Sequence, residues 1–208
     1  NKDNKAWIRQ NGNDNAATIG LQRNFGGLNA QGYVYLSQDG DENEAFIDQD
    51  GRDASGDAVV DNHFEAYQIG NGNFIDVDQL RGSSEAQLNM AFLTQSGNNN
   101  VIRLEQVEAP SDVFINQEGN KNRIGGTNAN LAWNEYDHAY QDASQITINQ
   151  FGTKNEIGLY QENSWTDSWI TQEGSANRTL LYQTGGNGLA EVYQNGSGNQ
   201  ANVWQSTQ

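Results

Sequence analysis

The sequence of 208 residues contains no cysteine, few basic residues and no long apolar run. Without cysteine, a disulfide framework, a thiolate nucleophile and a cysteine-based metal site are all excluded. No run of 18 apolar residues occurs, so no segment is predicted to insert into a membrane. Hydrophobic residues make up only 35% of the chain. This composition alone is typical of a polar, disordered segment.

The scarcity of basic residues leaves a large negative charge. Against 27 Asp and Glu there are 11 Lys and Arg, which gives a formal net charge of −16. This charge repels phosphate backbones, so nucleic acid is not expected as a partner, and it opposes docking on anionic membranes. Like charge also helps to keep a β-rich protein soluble before assembly. The alternative is that the charge is only the solvated surface of a secreted protein.

The sequence contains an internal repeat in eight copies, and three positions of the repeat hold the same residue in every copy. The first is a glutamine: Gln10, Gln38, Gln68, Gln95, Gln117, Gln150, Gln172 and Gln194. A glycine follows two residues later: Gly12, Gly40, Gly70, Gly97, Gly119, Gly152, Gly174 and Gly196. An asparagine follows five residues after the glutamine: Asn15, Asn43, Asn73, Asn100, Asn122, Asn155, Asn177 and Asn199.

A second glutamine closes the unit eleven residues after the first: Gln49, Gln79, Gln106, Gln161, Gln183 and Gln205. In the first copy Gln22 comes one residue late, and in the fifth Asn128 takes the place. Apolar residues alternate with other residues on both sides of the Gly-x-x-Asn segment, as in Leu93 and Ile102. Period-two alternation predicts a β-strand on each side of this segment.

The unit therefore predicts a strand, a tight arc and a second strand. Glycine allows a positive φ in the arc, and asparagine tolerates it better than most residues. We expect an all-β fold over residues 1–208: a single two-walled β-solenoid of eight strand-arc-strand rungs. At about 4.8 Å between paired strands, eight rungs would stack to roughly 38 Å.

Nearly all extra length between copies falls after the second strand. Insertions are expected at about 23–33, 50–62, 80–88 and 129–144, all on one edge of the solenoid. Insertions confined to one edge can carry binding function or can be tolerated without a role.

The period-two pattern places the glutamines on the inward face with the apolar residues. A buried amide without a partner costs a few kcal/mol (roughly 1–3 in proteins). A column of identical amides removes this cost, because each amide bonds the one above and the one below. This hypothesis explains why the polar positions recur more strictly than the apolar ones.

The repeat resembles the curlin repeat of bacterial curli, as in Gln38-Asp39-Gly40-Asp41-Glu42-Asn43-Glu44-Ala45. The resemblance covers about residues 6–205 and implies a functional-amyloid fibre subunit. It further implies export in an unfolded state through an outer-membrane pore, nucleated polymerisation into biofilm-matrix fibres, and a role in adhesion and cell aggregation. Export machinery and a nucleator subunit are then the expected partners. The N-terminal residues are not a signal peptide, so the chain is expected to be the mature extracellular form.

The chain departs from the family pattern at the second arc, where family members commonly carry a further Gln and Asn pair. The residues five after Gln49, Gln106 and Gln161 are Ala54, Ser111 and Thr166. The asparagine of the second arc is therefore expected to be missing.

Polymerisation is also predicted without the family. The first motif begins within ten residues of the N-terminus, and Gln205 lies three residues from the C-terminus. We expect both terminal rungs to be uncapped, although solenoids that stay monomeric usually need caps. The eighth rung of one copy can then pair with the first rung of the next, and such a head-to-tail contact does not close. No catalysis is required, so the chain is not expected to be an enzyme or to hold a cofactor or metal.

Few residues suggest other chemistry. His63 and His138 lie far apart in the chain, and no catalytic or phosphate-binding spacing accompanies them. Asp39, Asp41 and Asn43 have the alternate spacing of a calcium loop without the rest of its pattern. A second weak candidate for calcium is the acidic insertion with Asp50, Asp53, Asp57 and Asp61.

An aromatic residue precedes the first glutamine by three positions in five copies: Trp7, Tyr35, Phe92, Phe114 and Trp169. This stripe could serve lateral bundling or carbohydrate contact, or it could only shield the backbone and favour strands. The main alternative function is a monomeric secreted β-solenoid binding module, an adhesin or carbohydrate-binding protein, that uses the insertion edge. A polysaccharide-active β-helix enzyme is a third hypothesis, but the chain is short for the usual three-walled coil.

Overall fold

The computed structural model describes residues 5–20, 30–49, 60–79, 87–106, 111–125, 139–141, 145–162 and 166–206. These residues form seventeen strands and no helix. In chain order the strands are β1 (Lys5–Asn11), β2 (Ala16–Ile19), β3 (Ala30–Asp39), β4 (Glu44–Gln49), β5 (Val60–Ile69), β6 (Phe74–Gln79), β7 (Gln87–Asn98), β8 (Val101–Gln106), β9 (Ser111–Asn120), β10 (Arg123–Ile124), β11 (Ala139–Gln141), β12 (Gln145–Thr153), β13 (Glu156–Glu162), β14 (Asp167–Ser175), β15 (Arg178–Thr184), β16 (Leu189–Ser197) and β17 (Gln200–Ser206).

The strands form two parallel sheets, here called the first and second walls. The first wall has the order β1-β3-β5-β7-β9-β12-β14-β16. The second wall has the order β2-β4-β6-β8-β10-β13-β15-β17, with β11 also pairing with β8 and β13. Each rung takes one strand position from each wall, so the predicted two-walled β-solenoid of stacked rungs is confirmed.

The repeat sets the register between rungs. Across the first wall Gln10 faces Gln38, and at the other end Gln172 faces Gln194. Across the second wall Gln183 faces Gln205 in the same way. Equivalent positions of successive copies therefore lie directly above one another and form straight columns of like residues.

The core lies between the walls. Burial alternates residue by residue along the strands, as in β8, where Ile102, Leu104 and Gln106 are buried and their neighbours are partly exposed. Leu36, Phe64 and Leu93 from the first wall belong to the same core cluster as Ile75 and Ile102 from the second. Because apolar side chains fill only the centre of each rung, amide side chains occupy both ends of the core.

The arcs depend on glycine for two reasons. The eight motif glycines have φ between 104° and 120°, a region that L side chains rarely adopt. A Cβ added to any of the first seven would lie 1.9 to 2.1 Å from the carbonyl oxygen of the next rung's glycine. The backbones of neighbouring rungs therefore approach too closely for a side chain at this position.

The second left-handed residue of the arc is not the asparagine. It is the residue before it, as at Glu42, Lys121 and Ala176, with φ between 54° and 58°. The expectation that the asparagine itself supplies a positive φ was wrong. Its position is fixed instead by the hydrogen bonds that its side chain makes.

The fifth rung corrects another sequence expectation. Its second-wall strand is interrupted: β10 ends at Ile124, and the chain returns as β11, in which Gln141 faces both Gln106 and Gln161. Gln141, and not Asn128, thus holds the closing position, and Ala139 faces Leu104 two residues before it. The bounds expected for this insertion, about 129–144, were wrong because they include β11. Asn128 and Gln22 lie outside the described residues.

The expected absence of asparagine at the second arc was wrong after Gln49, where Asn62 holds this position, and Asn89 holds the same position after Gln79. Asn62 and Asn89 are buried and face each other, and Asn89 faces Ser111 on the next rung. They lie further than five residues from their closing glutamines because insertions intervene. First-wall strands accordingly begin inside the expected insertion bounds, at Ala30, Val60 and Gln87.

Replacing Gly97 by Ala is expected to lower the free energy of unfolding by about 3 kcal/mol or more. The new Cβ would lie 1.9 Å from the Gly119 carbonyl oxygen, so the rungs would have to move apart. Urea unfolding of the unassembled protein, followed by circular dichroism, measures the change.

The matched control is Gly198→Ala. Gly198 has φ +69° and open space around it, and Ala176 stands at the equivalent place one rung earlier with φ 54°. We expect a loss of about 1 kcal/mol or less. Equal losses for the two variants would show that close approach between arcs does not limit stability.

Candidate functional site: the amide ladders and the terminal rungs

The first glutamines form one unbroken ladder. In every pair of successive rungs, from Gln10 to Gln194, the Nε2 of the earlier residue donates to the Oε1 of the later one at 2.7 to 3.1 Å. All seven bonds run in the same direction. The ladder therefore has an acceptor end at the first rung and a donor end at the eighth.

Each glutamine amide also uses its second N–H. From Gln38 onward, Nε2 donates to a backbone carbonyl at the start of the preceding rung's second strand at 3.0 to 3.3 Å, as Gln95 does to Phe74. These glutamines are almost fully buried. The ladder thus satisfies their amides without water and links the two walls.

The asparagines form a second ladder that involves the backbone. The Oδ1 of each asparagine accepts from the backbone N–H of the next rung's asparagine at 3.0 to 3.1 Å. Its Nδ2 donates to the next rung's arc glycine carbonyl at 2.7 to 3.2 Å. Asparagine suits this place because its short amide bonds the backbone above it through both atoms.

The closing glutamines form a third ladder at the opposite arc. Gln49 donates to Gln79 at 2.7 Å and Gln79 donates to Gln106 at 2.8 Å. Later in the stack Gln161 donates to Gln183, which donates to Gln205. The backbone of Gln141 faces Gln106 and Gln161 in the gap between these two runs. Sequence spacing alone missed Gln141. The signal that could have found it is the residue pattern Ala139-Tyr140-Gln141, in which an apolar residue stands two places before a glutamine, as in Leu104-Glu105-Gln106.

At the two terminal rungs the ladders are open among the described residues. Gln10 Oε1 accepts no hydrogen bond, and Gln194 Nε2 donates only to the Arg178 carbonyl. Among the described strands, β1 pairs only with β3, and β16 pairs only with β14. Both ends therefore present an unpaired strand edge and unused amide groups.

The terminal rungs also expose core positions. Ile8 occupies the same column as Leu36, yet Ile8 is 47% exposed and Leu36 is fully buried. At the other end Ala201 and Val203 are only partly buried. Apolar surface of this kind is normally covered, so these two faces are the strongest candidates for an interaction site.

The outer faces carry aromatic residues in rows. On the first wall Phe92 and Phe114 stack in parallel with ring centroids 5.3 Å apart, and His63 lies 5.4 Å from Phe92. On the second wall Tyr160 and Tyr182 stack at 5.0 Å. His63 also bonds Glu65 at 3.0 Å, and its partners are aromatic rings and one carboxylate. His138 lies outside the described residues.

Asp39 and Asp41, near the arc of the second rung, accept hydrogen bonds from asparagines of the first rung. Asp41 Oδ1 accepts from the Asn13 backbone and side chain at 2.7 and 3.0 Å, and Asp39 accepts from Asn11 at 2.9 Å. Within the described ranges no group of three or more His, Asp or Glu side chains could hold a metal ion. Asp50, Asp53 and Asp57 are outside these ranges, as is the side chain of Asp61.

Two side chains on the first wall have shifted acidity. Burial raises the pKa of the Asp112 carboxyl, and burial together with nearby Glu65 raises the pKa of the Tyr67 hydroxyl. Neither group belongs to a ladder. No described helix has the length and apolarity needed to cross a membrane.

No family model matches the chain, and no curated protein matches it significantly. The functional interpretation therefore depends on the ladders and the terminal rungs.

Replacing Gln95 by Leu is expected to lower the free energy of unfolding by about 2–4 kcal/mol. The substitution leaves a Gln68 N–H and the Gln117 Oε1 buried without their partners. Asn100→Leu, which breaks the asparagine ladder at the same rung, should cost a similar amount. Thermal or urea unfolding of the unassembled protein measures both losses.

Gln145→Leu provides the control, since Gln145 is exposed at the start of β12. The same chemical change should alter the free energy of unfolding there by no more than about 0.5 kcal/mol. A loss at Gln95 as small as at Gln145 would contradict the role of the buried ladder.

Proposed function

We propose that the protein is the structural subunit of an extracellular, curli-like fibre in which copies stack head to tail through their terminal rungs. The observation that carries the proposal is the match between the first and the eighth rung. The first presents Ile8, Gln10, Gly12 and Asn15 in the columns where the eighth presents apolar, Gln, Gly and Asn residues: Val192, Gln194, Gly196 and Asn199. A second copy is therefore a partner that continues these four columns.

The hydrogen-bonding groups at the two ends are complementary as well. The first rung offers the Gln10 Oε1 as an acceptor, and the eighth offers a Gln194 N–H as a donor. Asn199 Oδ1 can accept from the Asn15 backbone N–H of the next copy, as Asn177 Oδ1 accepts from Asn199. Stacking continues the first-glutamine ladder and the asparagine ladder through the joint and adds backbone bonds along both walls.

Burial of apolar surface favours the same contact. Ile8 is 47% exposed in the single copy and would be covered by the end of the partner's core. The joint is heterologous, and each added copy continues the straight columns of the previous one, so the copies do not close into a ring but form a filament. Self-association of this kind needs no catalytic group, and the protein is proposed not to be an enzyme.

The negative charge of the chain opposes contact between separate copies until salt screens it. A net charge of −16 keeps separate copies apart, and moderate salt screens this long-range repulsion. Secretion, help from export machinery and a nucleator, and a role in biofilm matrix, adhesion and cell aggregation belong to the proposal as implications of the resemblance to curlins.

Gly196→Ala is expected to stop fibre growth without unfolding the protein. In the single copy a Cβ at Gly196 meets only Asn199 Nδ2 at 3.6 Å, whereas the equivalent Cβ inside the stack lies 1.9 to 2.1 Å from the next glycine carbonyl. In the joint it would collide with Gly12 of the next copy. The variant should keep its β-sheet circular dichroism, fail to elongate, and terminate wild-type fibres at substoichiometric ratios because its first rung is intact.

Gly198→Ala is again the control and should elongate at the wild-type rate. Seeded growth, followed by light scattering and negative-stain microscopy at neutral pH, separates the outcomes. Growth of Gly196→Ala at the wild-type rate would contradict head-to-tail stacking. Wild-type protein that stays monodisperse after seeding would favour the monomeric binding module instead.

A further inference from the structure

The two outermost strands of the first wall, β1 in the first rung and β16 in the eighth, carry opposite charges. Within the described residues of the first rung, Lys5 and Arg9 lie on β1, with Asp14 in the arc. The described part of the eighth rung, residues 189–206, has Glu191 as its one charged residue. In a chain with a net charge of −16, an end with excess positive charge is unusual.

The register shows where these residues would meet. Along β14 and β16 the facing pairs are Asp167 with Leu189, Trp169 with Glu191 and Thr171 with Tyr193. At the other end Lys5, Trp7 and Arg9 occupy these same three columns. In a head-to-tail joint Lys5 therefore faces Leu189, Trp7 faces Glu191 and Arg9 faces Tyr193.

From this register we infer that a charged and aromatic clasp fixes the joint, with Glu191 of one copy between Lys5 and Arg9 of the next. Diagonal neighbours on a sheet lie about 7–8 Å apart, within reach of long side chains. Lys5 and Arg9 thus both reach Glu191, and Arg9 also lies over the Tyr193 ring. The inference rests on the proposed function and adds the groups that select the partner and its direction.

All parts of the clasp are accessible in the single copy. Every residue of β1 is exposed, and so is Glu191. Tyr193 is 63% exposed, and its hydroxyl donates to Glu173 Oε2 at 3.0 Å, which fixes the direction of the ring. These side chains would meet the next copy without rearrangement of the core.

The same two kinds of contact already occur between rungs inside the protein. Arg178 lies 3.9 Å from Glu156 on the neighbouring rung. Arg103 lies over the Phe74 ring of the neighbouring rung, 5.4 Å from the ring centroid. The stack therefore accommodates both an ion pair and a cation–π contact at its normal rung spacing.

The clasp distinguishes the two orientations of a joining copy. A joint between two first rungs would bring Lys5 and Arg9 against their own counterparts, and a joint between two eighth rungs would bring Glu191 near Glu191. Like charges in facing positions are destabilising. Only the head-to-tail orientation pairs opposite charges, so the clasp favours a fibre with one direction.

Charge reversal tests the clasp against the effect of net charge. Glu191→Lys makes the chain less negative and should speed elongation if only overall repulsion mattered. The clasp predicts the opposite, a decrease in the seeded elongation rate of about tenfold, because the joint loses its opposite charges. Glu118→Lys, at an exposed position of β9 in the middle of the first wall, makes the same change in charge and is the matched control.

A mixture of two variants gives the sharper result. Glu191→Lys alone and the double variant Lys5→Glu with Arg9→Glu should each elongate slowly, since every joint would then hold like charges. Mixed in equal amounts, the two should elongate at a rate near that of the wild type, because alternation restores opposite charges at every joint. Circular dichroism of each unassembled variant checks that the fold is kept.

The outcomes separate the clasp from the fibre itself. Equal elongation of Glu191→Lys and Glu118→Lys, or no recovery in the mixture, would overturn the clasp while wild-type fibres still form. Absence of wild-type fibres under seeded conditions would overturn the proposed function, and the clasp with it.

Discussion

The hydrogen bond between one buried amide and the identical amide of the next rung is the interaction on which the rest of the structure depends. A glutamine inside a core is acceptable only when both its N–H groups and its oxygen find partners. Here each partner is another copy of the same residue or a backbone carbonyl at a fixed offset. The ladder thereby forces equal registers in both walls, and equal registers bring the arc glycines into contact.

This constraint explains why so few apolar residues suffice. Only the centre of each rung is filled by side chains such as Leu36 and Ile47, and the two ends of the core are amides. The outer faces are then free of folding constraints beyond strand propensity. They carry stacked rings in some rows and charges in others, so residues at these outward positions can serve surface contacts without changing the fold.

Sequence reasoning recovered the walls, the rung count and most ladder positions, because a ladder requires the same residue at the same place in every copy. It failed where residues that share a column of the stack do not lie at the same distance from the motif along the chain. Gln141 completes a strand after an insertion, and Asn62 and Asn89 reach the second arc after long connections. A linear pattern cannot show that a strand is interrupted and resumed, since hydrogen bonds across neighbouring rungs set that register.

The left-handed residue before each asparagine was missed for another reason. Its side chain is unconstrained, as Glu42, Lys121 and Ala176 illustrate, so its type carries no signal.

The uniform direction of the first glutamine ladder has an electrical consequence. Seven amide bonds point the same way, so the side-chain dipoles of this column add together instead of cancelling as they would in alternating orientations. Aligned hydrogen bonds polarise one another in a low-dielectric interior. The column therefore resembles a thin polar rod inside the protein, and its field distinguishes the two ends of the molecule before any charged residue is considered.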